Sequence, residues 1–575
     1  MNQPTPAIVA QAAVRRLPRI ALLLLCAAYL LPGLVGRGPW KSADIAAFGY
    51  MAELAKSGGG IARWFDPLLL GLRPETPALV PYWIGALAIK IAPSWISPDL
   101  AVRIAFAMLL WGAFTATWYA VYYLARTPRA QPVAFAFGGE ALPKDYARAI
   151  ADGALLALIA SWGLALAGHE TTPALAQLFF VSHMFYGVAA MPFRRIGAIV
   201  ALFIGTLGMA LSGGPTVALL LGAGATLLVA AERRRSITAS ADDGPGYSAA
   251  AAWTVACITL LAGALALKLD LLQWRIALPG HHLGSSFGSD ARSLAKLLIW
   301  FTWPTWPLAL WTLWRWRRQL MARHVALPFW FALVPLAATL TTEFSERSLL
   351  LTLPAMATLA AFALPTFRRS VAALIDWFTL LFFTGLAVIG WVYWIAMQTG
   401  VPAKPAASVA RLVPGFVPEF SLLALVLALA ATVAWCWLVR WRTGRHRAAL
   451  WKTLVLPAGG TALCWMLLMT LWLPPVDYAR SYVPQVRAVT ERVGQPDCIS
   501  ELGLSRPHIA ALRHHGNFNL RPLAEGPACR WLLASPESLG SLHTLVDLNL
   551  WRFGGTLRRP TNAGDDLLLY QKMTP

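Results

Sequence analysis

The sequence predicts an α-helical polytopic membrane protein that ends in a small α/β domain. Three observations lead there. Hydrophobic residues make up 58% of the 575 and charged residues only 13%, with a mean hydropathy of +0.57; an ordinary soluble domain carries about 25% charged residues. The apolar content falls in repeated stretches of roughly 16–25 residues, the length that crosses hydrocarbon as a helix. From Pro474 onward the chain turns polar and its apolar runs shorten.

Taken in order, the first stretch is Ile20–Val35, behind Arg15, Arg16 and Arg19. It lacks a small-residue cleavage site and is expected to be a retained span. A loop over residues 36–100 follows, holding a short apolar piece, Val80–Ile91, bracketed by Pro81 and Pro93. That piece is too short to span and is expected at the interface. Further spans are expected at Ala101–Leu124, Ala149–Ala167, Ala174–Met191, Ile196–Leu211, Thr216–Ala231, Ala250–Leu267, Leu294–Leu313, Val325–Leu340, Leu349–Leu364, Val371–Met397, Leu422–Val439 and Leu454–Leu473. With the first that makes about thirteen, judged by length and flanking charge.

The formal charge of +21 is not a nucleic-acid footprint. The basic residues sit in short clusters between apolar stretches, as at Arg194/Arg195, Arg233–Arg235, Arg315–Arg318 and Arg440–Arg447, while the alternate turns His169–Thr172 and Ser212–Pro215 hold no Lys or Arg. Such alternation orients a membrane protein. It places the N-terminus in the cytoplasm and, after an odd number of spans, the tail outside. Two parts result: a transmembrane region, 1–473, and an exported α/β domain, 474–575. In the tail, Val483–Val493 reads as a helix, and Trp531–Ala534 and Leu567–Tyr570 as strands. Cys26, Cys257, Cys436 and Cys464 fall in spans and read as small apolar residues. Cys498 and Cys529 both fall in the exported tail, where an even pair suggests a disulfide, with two free thiols as the alternative.

Function is sought where polar groups are held against the membrane on the outside. Asp44 comes at the first turn of a helix-like pattern, with Ser42 a plausible N-cap. It either favours the helix dipole or serves as a general base at the mouth of a cavity. The turn Gly168–Thr172 is so short that His169 and Glu170 stay close to the surface; they are either a solvated turn or a pair facing the loop of Asp44. Arg347 stands at the start of a span, and Arg103 two residues into one. Each is an interfacial anchor or a planar fork for phosphate, and Arg347 could instead be a partner of Glu346. Adjacent His281 and His282, in a loop with Trp274 and Arg275, point different ways on any regular element and make no convincing metal pair. The turn Ser212-Gly-Gly-Pro215 lacks the lysine of a nucleotide loop.

Several short segments, in this order, carry a resemblance: Asp44 with Phe48, Trp64-Phe-Asp-Pro67, Pro77-Ala-Leu-Val-Pro-Tyr82-Trp83, Val102-Arg103-Ile104, Leu211-Ser-Gly-Gly-Pro215, Trp303-Pro304 with Trp306-Pro307, and Arg347-Ser-Leu-Leu-Leu-Thr-Leu-Pro354. The chain resembles the polyprenyl-phosphate-dependent membrane glycosyltransferases (GT-C type) that include the aminoarabinose transferase of lipid A and the protein O-mannosyltransferases. The family's turn lysine corresponds to Gly213 here, and the tyrosine before its last proline to Leu351. The resemblance implies a bacterial inner-membrane enzyme, an undecaprenyl-phosphate-linked sugar as donor, and a lipid or glycan acceptor on the periplasmic face. Asp44 would be the base, Glu170 or His169 its helper, and Arg347 with Arg103 and Arg73 the phosphate partners. Tyr82 and Trp83 would line the substrate site. With so few cations a divalent metal is a further candidate, though no ligand set is legible. Two other classes remain open: a transporter or flippase for a lipid-linked glycan, which would need ionisable groups along a mid-membrane path, and a non-catalytic membrane scaffold. Asp376 and Lys296 lie near span ends and mark no path.

Overall fold

The computed structural model describes residues 5–56, 60–238, 246–272, 287–341, 346–444, 449–525, 529–545, 547, 550–560 and 562–573. Trp274, Arg275, His281 and His282 lie outside the described residues. The chain folds as a bundle of apolar helices followed by a small sheet domain. Every expected apolar stretch contains helix. Among the described residues, seven helices are by themselves long and apolar enough to cross a membrane: Pro98–Ala125, Pro173–Ala190, Pro215–Arg235, Ala251–Lys268, Arg369–Thr399, Leu422–Thr443 and Leu450–Thr470. Of the other expected spans, two form the shorter helices Arg19–Leu30 and Arg195–Leu211, one lies in the 19-residue helix Arg323–Thr341, and three are broken within the bundle.

The breaks have local causes. The stretch 149–167 is helical to Ala160, then restarts as Trp162–Ala167. The amide freed at Trp162 donates to the carbonyl of Trp303 at 3.1 Å. That carbonyl belongs to the Trp303-Pro304 segment, which itself divides helix Phe287–Phe301 from Thr305–Arg315. Inside a membrane a broken helix is tolerated only where another element supplies the missing partner. A third break separates Glu346–Leu350 from Leu353–Ala363, where the Thr352 hydroxyl donates to the carbonyl of Leu349 at 2.7 Å.

Helix Pro143–Ala160 forms the centre and is buried from Ala149 to Ala160. Its alanines and Gly153 let neighbours approach closely; a Cβ at Gly153 would lie 2.5 Å from Leu364. Helices Pro98–Ala125, Leu353–Ala363 and Val455–Thr470 pack around it. Helices Arg369–Thr399 and Leu422–Thr443 pack on Val455–Thr470 but are largely exposed, forming the rim of the bundle. Asp376 on one pairs with Arg442 on the other, so it ties two helices together.

The C-terminal domain holds a sheet of five strands in the order β2-β1-β3-β5-β4, where β1 is Ile499–Leu502, β2 Leu520–Pro522, β3 Trp531–Ala534, β4 Trp551–Arg559 and β5 Asn562–Lys572. β1 pairs in parallel with β2 and β3, and β5 runs antiparallel to β3 and β4. Cys498 and Cys529 precede the neighbouring strands β1 and β3 and are joined by a disulfide, with Cα atoms 5.7 Å apart.

The domain does not hang free. Its helix Arg506–His515, the crossover between β1 and β2, packs along helix Ser42–Lys56. A Cβ at Gly49 would lie 2.6 Å from Ala510, so glycine is needed for this approach. Arg513 pairs with Glu53 at 2.9 Å, and the ring of His514 meets Phe48 edge-on at 4.5 Å. Arg506 donates to the carbonyl of Arg73 at 2.8 Å.

Candidate active site

The polar residues gather where helix Ser42–Lys56 begins. Ser42 is the first residue of that helix rather than its cap: the carbonyl of Lys41 receives the first helical bond, from Ile45 at 3.0 Å. The Ser42 hydroxyl instead accepts from Tyr482 of the C-terminal domain at 3.2 Å. Asp44, in the first turn, is only 1% exposed. Its Oδ1 accepts two hydrogen bonds from Thr171, from the amide at 2.7 Å and from the hydroxyl at 2.5 Å. The short turn 168–172 therefore does face the loop of Asp44. Among the described residues Oδ2 of Asp44 makes no hydrogen bond, which leaves that oxygen open to a further donor.

Glu170, 2% exposed, stands between two cations. Its Oε1 pairs with Lys41 and its Oε2 with Arg347 Nε at 3.0 Å. A carboxylate this deeply buried needs such partners. The cations themselves reach solvent: Lys41 is 19% exposed and Arg347 36%. Lys41 was not singled out from the sequence. Its signal was the turn around Glu170, which has no basic residue of its own and so must find its counter-charge elsewhere.

His169 and Arg103 sit beside this group but are occupied. The His169 ring faces the carbonyls of Tyr29 at 2.9 Å and Ala165 at 3.3 Å, and stacks on Trp465 at 4.2 Å. Burial pushes this imidazole down to about 4, so it is neutral at physiological pH. Its ring anchors the turn and faces backbone rather than Asp44. Its own carbonyl accepts from Arg37 at 2.7 Å. Arg103 is buried, with Nη1 on the carbonyl of Leu34 at 2.5 Å, Nε on that of Asp99 at 3.2 Å and Nη2 on the Asp99 carboxylate. Two of these donors stay on Asp99 of its own helix, and the third ties helix Pro98–Ala125 to the loop after the first helix. Asp477 completes this layer. Burial pushes its carboxyl up to about 6, while Arg37 and Arg103 pull the other way. The cavity lined by Arg37, Arg103, His169 and Thr171 holds about 20 Å³, room for about one water.

The remaining expected residues lie farther along the loop. Trp83 donates to the carbonyl of Trp64 at 2.6 Å and meets Phe65 edge-on at 5.7 Å. Tyr82 is buried against Tyr50, 5.4 Å between ring centres. The two segments Trp64–Pro67 and Pro77–Trp83 thus pack on each other. Arg73 is 72% exposed and pairs with Asp66 at 3.2 Å. The turn at Gly213 meets the same segment: the Leu79 amide donates to the carbonyl of Leu211 at 2.8 Å. Gly213 has φ +84°, and a Cβ there would lie 2.5 Å from Thr76 and 3.0 Å from the Pro77 carbonyl oxygen. Among the described residues no three His, Cys, Asp or Glu side chains converge to hold a metal ion.

The helical bundle and the C-terminal sheet domain together make an ArnT-like fold. Among the solved structures it resembles are two of ArnT from Cupriavidus metallidurans. The chain matches ArnT bound to undecaprenyl phosphate at 14% identity and TM-score 0.55, covering 96% of each chain. It matches the apo state at 15% identity with the same coverage and TM-score. No protein-family model and no curated protein matches the sequence.

Proposed function

We propose that the chain is a membrane glycosyltransferase that moves a sugar from an undecaprenyl-phosphate-linked donor to a lipid or glycan acceptor. It would act on the periplasmic face of a bacterial inner membrane, with residues 1–473 as the transmembrane part and 474–575 as the periplasmic domain. The observation that carries the reading is the grouping of Asp44, Glu170, Lys41 and Arg347 at one mouth of a bundle with the ArnT fold. The undecaprenyl phosphate in that ArnT structure supports the donor class.

In the proposed reaction the acceptor hydroxyl attacks the anomeric carbon and its proton passes to Oδ2 of Asp44. The bond from that carbon to the phosphate oxygen breaks, and undecaprenyl phosphate leaves as an anion. Lys41 and Arg347 exchange Glu170 for that phosphate and stabilise the developing charge. Glu170 holds both cations in place until donor arrives. A single displacement inverts the anomeric centre.

The test is a transfer assay on purified protein in nanodiscs, with a panel of undecaprenyl-phosphate-linked sugars and extracted envelope lipids as acceptors. Expected is transfer from at least one donor that Asp44→Asn abolishes. Protein that neither binds undecaprenyl phosphate nor consumes any such donor would overturn the reading.

A further inference from the structure

At the end of the bundle opposite Asp44, helices Arg19–Leu30, Pro98–Ala125 and Pro143–Ala160 enclose a cavity of about 390 Å³. It lies well away from the candidate site: Arg103 and Trp118, on one helix, are separated by about 22 Å of helical rise. The size falls within the range of small-molecule sites, about 300–1,000 Å³. Its floor is apolar, made by Leu22, Cys26, Phe114 and Leu155. Its mouth is basic, with Arg16, Arg19 and Arg148. Arg16 is committed to Asp145 at 3.3 Å. Among the described residues Arg19 and Arg148 make no hydrogen bond or ion pair; the charge they sense is that of Asp152. That carboxylate is already held by the Trp118 indole N–H at 2.8 Å. Two guanidinium groups therefore face one occupied carboxylate, above an apolar floor. Leu23, Trp111 and Tyr119, which also line the cavity, are 51%, 41% and 44% exposed, so it opens sideways to hydrocarbon.

We propose that this cavity binds one anionic phospholipid of the cytoplasmic leaflet. Its phosphate rests on Arg19 and Arg148, and the start of its acyl chain runs along Leu22, Cys26 and Phe114. Guanidinium forks match phosphate oxygens, and basic pockets between membrane helices at the cytoplasmic boundary take anionic headgroups. A merely orienting arginine cluster would need no cavity behind it. The proposal needs only the orientation of the helices and does not rest on sugar transfer.

The experiment is native mass spectrometry on delipidated full-length protein titrated with phosphatidylglycerol, phosphatidylcholine, undecaprenyl phosphate or inorganic phosphate. Expected is retention of one phosphatidylglycerol and not of phosphatidylcholine. Arg19→Gln with Arg148→Gln should weaken retention at least about tenfold, the loss of one charge-assisted contact. Thr115→Trp, on an exposed wall of the cavity, should block it without changing any charge, and carries the test if the double variant misfolds. Retention of phosphatidylcholine to the same extent would overturn the proposal, as would displacement of phosphatidylglycerol by inorganic phosphate. So would undecaprenyl phosphate outcompeting phosphatidylglycerol at the wild-type cavity, or retention that neither variant changes. Failure here leaves donor binding at Lys41 and Arg347 untouched, so the two readings fail separately.

Discussion

Replacing Asp44 by Asn separates its charge from its packing. Both donors of Thr171 land on the same oxygen, Oδ1, at 2.7 and 2.5 Å. Asn keeps an acceptor oxygen that can take both and exchanges only the unbonded Oδ2 for an amide. A hydrogen bond to a charged group contributes about 1.5–3 kcal/mol and a neutral one about 0.5–1.5. For two bonds, Asp44→Asn should thus cost on the order of 1–3 kcal/mol of stability. Asp44→Ala strands two buried donors at about 1–3 kcal/mol each and should be the more destabilising by a clear margin. Transfer behaves differently. Removing a general base costs about 10²–10⁴ in rate, or about 3–5 kcal/mol of barrier. Asp44→Asn should lose that rate with its donor affinity nearly unchanged, whereas Thr171→Val should lose stability and keep most of its turnover. The assay pairs thermal unfolding with transfer and donor binding in nanodiscs. If Asp44→Asn transferred at the wild-type rate, Asp44 would be a structural acceptor for the turn, and Glu170 would become the candidate base.

Four further outcomes are expected. Arg347→Ala and Lys41→Ala should each weaken binding of undecaprenyl phosphate, and each also slow transfer by removing a contact to the leaving anion; unchanged affinity in both would exclude them as phosphate ligands. Reduction of Cys498–Cys529, a cross-link of sequence separation 31, should destabilise the C-terminal domain by about 3–4 kcal/mol in the chain-entropy model, read as faster proteolysis of that domain. Acidification should loosen the domain from helix Ser42–Lys56: burial holds His515 down to about 4 and lowers His514, with Asp99 opposing in both and Lys56 and Arg103 reinforcing His514. An undocked imidazole titrates near 6.5, so this stability is complete above about 6.5 and lost as pH falls through about 4; the raised Asp477 carboxyl runs the other way, and hydrogen exchange across 506–515 that is flat between those pH values would refute the point. Reporter fusions after Arg235 and Arg447 should report cytoplasm and one after Leu520 periplasm; a cytoplasmic C-terminal domain would remove the topology on which the transfer reading stands.

What the sequence showed was what local pattern carries. Helix Val80–Ile91, helix Val483–Val493 and strand Trp531–Ala534 have the ends read from apolar length, Pro and Gly alone. The break at Ser161 was hidden because its feasibility depends on a carbonyl from Trp303, far along the chain. The site divides the same way. Asp44 and Glu170 were visible as carboxylates in loops with little room, and the fold gathers both, with Arg347, around the turn at Glu170 and Thr171. That Arg103 is spent was only half visible. Asp99 four residues before it is a legible helical pair, but the Leu34 carbonyl that takes another of its donors is not. Which cation is engaged and which is free to meet a ligand is decided by tertiary neighbours, and no spacing rule reports it.

The close approach at Gly213 bears on how this chain could have diverged. In the glycosyltransferases it resembles, that turn carries a lysine. Here the methyl of Thr76 and, behind it, the carbonyl oxygen of Pro77 crowd the place where a side chain would begin, and the backbone is left-handed, a conformation costly for any residue with a Cβ. Placing lysine at this one position would push the 76–79 segment off the turn. A side chain at residue 213 and the present packing of residues 76–79 exclude each other, so accommodating one requires changing the other. A comparison of relatives should find residue 213 and residues 76–79 exchanged as a block.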